Sequence, residues 1–161
     1  MDSEARPPSP DSAEPIPGPE PFKNRMVLAL LALLGFFIAL YMLAYALGLT
    51  GSVICGLGDC ERVQSSPYSR IGPVPVAGLG VAGYLSLLAV SFLGLQPRGQ
   101  GSRAVSVLLL LGGVIGLLFS AYLTYLEAFV IGAWCQWCVG SAIIMVLAFL
   151  ASLPELRRLR G

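Results

Sequence analysis

Residues 26–49 read MVLALLALLGFFIALYMLAYALGL, 24 positions without a charge, introduced by Lys23 and Arg25. A helix of that length rises roughly 36 Å, enough to cross the roughly 30 Å hydrocarbon core of a bilayer. Ala44-Tyr45-Ala46 resembles a signal-peptidase tripeptide, yet the apolar run is longer than a normal h-region and follows a long acidic segment. The stretch therefore reads as a retained membrane span. Working outward, three more apolar runs follow, giving spans at about 26–49, 76–95, 104–128 and 133–153. Pro97, Gly99 and Gly101 punctuate the connection after the second run, and Pro154 is expected to stop the last helix. The predicted fold class is an all-α membrane protein, a four-transmembrane-helix bundle.

Composition agrees. Of 161 residues, 56% are hydrophobic and only 12% charged, where a soluble domain carries about a quarter charged residues. Residues 1–21 hold seven prolines and five of the nine carboxylates, the make-up of a disordered tail that buries too little apolar surface to order itself. Residues 154–161 read as a short basic tail. The net charge of +1, with no basic stripe, gives no nucleic-acid signal. The chain has no histidine, which excludes Ser/His/Asp and Cys/His triads, a His-ligated haem and a His-containing zinc site.

Lys and Arg orient the bundle. Lys23, Arg25, Arg98, Arg103, Arg157, Arg158 and Arg160 fall on one side, Arg62 and Arg70 on the other. By the positive-inside rule both termini are predicted to be cytoplasmic, with a large external loop at 50–75 between the first two spans. All four cysteines then lie at or near the oxidising side, where disulfides persist. Cys55 and Cys60 sit in that loop, separated by two glycines and an aspartate that describe a flexible, solvent-facing turn reachable by a soluble partner. Cys135-Gln136-Trp137-Cys138 opens the fourth span, where side chains at i and i+3 share a helix face and can cycle between dithiol and disulfide.

Two pairs on one side of a membrane read as a thiol relay. A helix N-terminus favours a thiolate by only about 0.3–1 kcal/mol, whereas burial disfavours it by as much as 3–5 pKa units. A hydrogen-bond donor or a stacked electron acceptor is required to activate the sulfur. Among the other residues, Trp134 and Trp137 read as interfacial belt residues, Tyr122 and Tyr125 as belt or packing residues, and Glu127 as a solvated helix end. Gly80, Gly83, Gly112 and Gly116 read as helix-contact positions.

The order of these features resembles the vitamin K epoxide reductase family in its bacterial membrane form. A span, Cys-x4-Cys, CERVQSSPYS at 60–69, IGPVPVAGLGVAGY at 71–84 and a CxxC opening the last span carry the resemblance, over about residues 22–153. It implies that Cys55 and Cys60 are a shuttle pair, that Cys60 exchanges with Cys135, and that Cys138 meets a quinone of the menaquinone, ubiquinone or vitamin K type. Ser66 would supply a hydrogen bond near the active cysteines or the quinone. A separate thioredoxin-like (DsbA-like) extracytoplasmic protein is the expected electron donor, and disulfide formation in exported proteins the expected purpose; no metal is expected. The residues from Val74 to Gly80 offer no polar side chain for a vitamin K head group, so plain quinone reduction is expected over epoxide reduction. Four cysteines allow three pairings, and a tetraspan scaffold with static external disulfides is the competing reading. A zinc or iron-sulfur site on four thiolates is disfavoured by the external compartment, and a carrier by the absence of ionisable residues in mid-span.

Overall fold

A computed structural model describes residues 20–160; the tail expected over residues 1–21 lies almost wholly outside them. Four helices are long and apolar enough to cross a membrane, and the chain is a multi-pass integral membrane protein. In chain order the elements are α1 (Glu20–Ala46), α2 (Cys60–Gln64), a 3-10 turn (Pro67–Ser69), β1 (Arg70–Ile71), β2 (Val74–Pro75), α3 (Val76–Leu95), α4 (Arg103–Tyr125), a π turn (Leu126–Ile131) and α5 (Gln136–Arg160). Helix α1 packs on α3 and α5, and α4 on α3 and α5, so the four spans close a ring. Leucine, isoleucine, valine and phenylalanine side chains stud its outer surface, as a lipid-facing bundle requires.

α3 covers the span expected for it, while the other three are shifted. α1 begins at Glu20, with Pro21 in its first turn where the missing N–H costs nothing, and stops at Ala46 rather than Leu49. Its end is set by Gly48 at φ 75°. Gly48 N–H donates to Tyr45 O and Leu49 N–H to Ala44 O, both at 2.9 Å, the paired closure that a left-handed glycine permits. Arg70 Nη2 donates to Ala46 O at 2.8 Å, satisfying a further carbonyl. The β1–β2 hairpin pairs Arg70 with Pro75 and Ile71 with Val74, turns at Gly72, and delivers the chain to α3.

Pro154 does not stop the last helix. It lies inside α5, which continues to Arg160. Glu155 explains the continuation: Arg25 donates through Nε to Glu155 Oε1 at 2.9 Å and through Nη2 to Oε2 at 3.0 Å, and both residues are 1% exposed. The same guanidinium donates from Nη1 to Gly94 O at 2.7 Å and Gly99 O at 3.1 Å, and Ser106 Oγ donates to Glu155 Oε2. One buried cation thus ties α1, the α3–α4 connection, α4 and α5 together, and the pair holds the turn beyond the proline in helical register. Arg25 is not a solvated flank charge.

The core is layered along the bundle. Leu28, Ala32, Leu87, Val105, Leu109 and Ala148 fill the end near the termini. Ala39, Tyr84, Ile144 and Met145 form a middle layer. Met42, Cys60, Val63, Ala133 and Cys135 close the loop end. Glycines admit the close approaches: a Cβ at Gly112 would sit 2.9 Å from Leu87 Cδ1 and one at Gly116 2.5 Å from Met145 Sδ. Gly80 touches Ala39, whereas Gly83 faces open space and is not a contact position.

Candidate functional site

All four cysteines gather at the loop end. Cys55 and Cys60 form a disulfide; Cys135 and Cys138 are thiols. Cys60 and Cys135 are both 0% exposed and belong to one buried cluster, with Cys55 and Cys138 packed at its margin. Cys55 is half-buried, on the outer side.

The loop is docked against the start of α5. Asp59 N–H donates to Trp134 O at 2.8 Å, and Gly58 forms a β-bridge with Cys135. Gly58 is required there twice over: its φ is 91°, and a Cβ would collide with the Trp134 carbonyl. The loop was expected to be a flexible, solvent-facing turn; its outer half is exposed, but its second cysteine is sealed in the core. Asp59 then caps α2 by accepting Arg62 N–H at 3.1 Å, which fixes Cys60 at the first position of that short helix.

The CxxC is presented by the π turn. After α4 the backbone widens over Leu126–Ile131, Gly132 adopts φ 64°, and Ala133 N–H returns to Glu127 O at 3.2 Å. Glu127 is consequently not a solvated end residue. It is 4% exposed, and its Oε2 accepts the backbone N–H of Cys135 at 3.1 Å, an otherwise unpaired donor at the start of α5. A carboxylate expected in water was drawn inward because the turn puts a buried N–H beside it.

At Cys135 the neighbouring Cys138 thiol, hydrogen-bonding to the sulfur, lowers the thiol pKa below its ordinary value, against the opposing effects of burial and of the Glu127 charge. Backbone hydrogen bonds from Trp137 and Cys138 at the helix start act in the same lowering direction.

Cys138 lies on an apolar cavity of about 650 Å³ lined by all four spans. Val63, Gln64, Ser66, Glu127 and Trp137 line it beside Cys138 at the loop end, and Gly83, Gly112 and Gly116 line it further along the bundle. The size suits a ring-and-chain ligand, and most of the wall is hydrocarbon. The few polar groups are placed singly. Ser66 lines the cavity and donates its hydroxyl hydrogen to Val63 O at 2.7 Å. Gln64, two residues earlier, aims its amide at Cys138 Sγ, 4.0 Å away. Tyr84 and Ser141 pair their hydroxyls at 2.8 Å in the wall. Cavity, apolar lining and adjacent thiol fit a quinone; among the described residues no group of His, Cys, Asp or Glu is arranged to hold a metal.

Trp134 is half exposed, as a belt residue should be. Trp137 is turned inward instead, its indole 5.1 Å from the Tyr41 ring and its Nε1–H donating to Ile54 O at 2.9 Å. Gln64, Tyr41, Gln136 and Trp137 were not singled out as site residues from sequence. The one available signal was a glutamine at the start of a membrane helix, a polar group that needs a partner.

Fold and site together define a four-span membrane protein whose docked loop disulfide abuts a helix-start dithiol beside an apolar cavity. The sequence model of the vitamin K epoxide reductase family matches residues 26–153, and the chain belongs to that family. Its members are membrane oxidoreductases of the thiol–disulfide and quinone-reducing kind.

Proposed function

We propose that this protein passes electrons from a thioredoxin-like extracytoplasmic protein to a membrane quinone, and so supports disulfide formation in exported proteins. Its loop end faces the exterior or periplasm of a bacterial cell membrane, a reading supported by the excess of Lys and Arg near the opposite end. The observation that carries the reading is the gradient of burial: Cys55 outermost, Cys60 and Cys135 together in the core, Cys138 on the cavity.

A partner thiolate attacks the loop disulfide at Cys55, and its second thiol releases the partner as a disulfide, leaving Cys55 and Cys60 reduced. Cys60 then attacks Cys135 of the Cys135–Cys138 disulfide; Cys55 resolves the mixed disulfide, restoring the loop disulfide and a reduced CxxC. Cys135 and Cys138 close again as two electrons and two protons pass to the quinone, giving the quinol. Gln64 and Ser66 are the polar groups beside that last step, with Gln64 the nearer donor to Cys138.

The test is quinone absorbance with purified protein in detergent, driven by a small dithiol or by a thioredoxin-like protein dithiol. Cys135→Ala and Cys138→Ala are expected to fall to background with both donors; Cys55→Ala and Cys60→Ala only with the protein donor. A Cys138→Ala protein reducing quinone at the normal rate would overturn the assignment. No turnover from the unaltered protein would leave a static tetraspan scaffold.

A further inference from the structure

The two residues between the CxxC cysteines have no part in the relay just described, yet both bond to the loop. Helix geometry places Gln136 and Trp137 about 100° and 200° round the axis from Cys135, away from the face that the two sulfurs share. Gln136 Oε1 accepts Gly56 N–H at 3.0 Å and Leu57 N–H at 2.9 Å. Trp137 Nε1 donates to Ile54 O at 2.9 Å, and the Tyr41 hydroxyl, beneath the same indole, accepts Ile54 N–H at 3.0 Å. Gln136 Nε2 also donates to Ile54 O at 3.5 Å, so five hydrogen bonds grip the backbone on both sides of Cys55, all to side chains and none to another strand.

This grip fixes which sulfur faces outward. With Ile54, Gly56 and Leu57 held by their backbones, the Ile54 and Leu57 side chains point to solvent beside Cys55, while Asp59 N–H on Trp134 O pins the far side and keeps Cys60 in the core. Because these bonds lie at the exposed rim, water can replace each of them, and the loop can leave without stranding a buried polar group.

We infer that Gln136, Trp137 and Tyr41 form a latch that docks the loop disulfide on the CxxC helix with Cys55 outward and Cys60 against Cys135, so that the CxxC dipeptide governs loop-to-helix thiol exchange. These are positioning residues, and the inference rests on the relay proposed above.

Two measurements on the full chain in detergent test it without any quinone. The first is amide hydrogen exchange at Gly56 and Leu57. Gln136→Ala is expected to speed exchange about tenfold, and Gln136→Glu, whose carboxylate still accepts both N–H groups, to keep the protection. Unchanged exchange in Gln136→Ala overturns the latch. The second is the rate at which Cys60 and Cys135 cross-link when Cys55 and Cys138 are replaced by serine and a small thiol oxidant, diamide, is added to take up the two electrons and two protons. Gln136→Ala is expected to slow it about tenfold; an equal rate overturns the latch. If no cross-link forms even with Gln136 present while amide protection still depends on that residue, the latch stands and the relay order falls.

Discussion

The two ends of the bundle both contain a polar cluster, and they use it in opposite ways. Near the termini, Arg25, Glu155 and Ser106 are bonded to one another and to backbone carbonyls in a site closed to water. At the loop end, Gln136, Trp137 and Tyr41 bond the loop at an exposed rim. A buried pair is costly to break because each partner would be left without water. Rim bonds are individually modest, because solvent substitutes for either partner. One end of this protein is fastened; the other is held closed by bonds weak enough to open.

The contrast can be broken at the fastened end first. Arg25→Met removes the buried cation that donates to both Glu155 carboxylate oxygens and is expected to cost about 3–5 kcal/mol, read as a lowered thermal midpoint in detergent. The double replacement Arg25→Met with Glu155→Leu should recover much of that loss. A single variant as stable as the parent would mean the cluster does not fasten this end. At the loop end Gly58→Ala should act on docking and leave global stability almost untouched. The left-handed φ alone costs about 1–2 kcal/mol, roughly tenfold in the docked population, and the Trp134 carbonyl adds a collision. The expected result is fast exchange at the Asp59 amide with little change in thermal midpoint; a protected Asp59 amide would refute it.

The smallest effect is a change in pH dependence. Thiolate rises with pH, so the lowered pKa of Cys135 should bring half-maximal alkylation in a loop-undocked Gly58→Ala background below the ordinary cysteine range. Cys138→Ala removes the hydrogen bond that favours the thiolate and leaves the burial that opposes it, so the alkylation curve should move to higher pH. A curve that stays in place would show that Cys138 does not tune Cys135.

How much of this was legible depends on which force decided each feature. Hydrophobic run length placed α3 without error and located all four spans, because length and apolarity are local properties. Helix ends were less legible. Pro154 carries a local stop signal that a pair 130 positions apart in sequence, Arg25 with Glu155, overrides. Glu127 reads as a surface charge until a π turn brings it to the Cys135 amide. The cysteine pairs were legible as pairs, but their resting state, Cys55 bonded to Cys60 with Cys135 and Cys138 as thiols, was not. The docking of the loop was not, since two glycines and an aspartate read as flexibility when their backbone partner is 75 residues away, as Trp134 is from Asp59.

The π turn also decides how the chain enters the fourth span. Each helical residue advances about 100°, so closing a turn with i→i+5 bonds in place of i→i+4 re-clocks the end of the third span, and with it the bearing of Glu127, by about one residue. Over Leu126–Ile131 that adjustment happens within a rigid connection rather than a slack loop. Through the Glu127 carboxylate on its N–H, Cys135 is thereby tied to the end of α4, across the ring from the helix that carries the loop. The sulfurs are aimed by one helix hairpin and supplied by another, so the sideways seating of the two hairpins decides whether Cys60 and Cys135 meet.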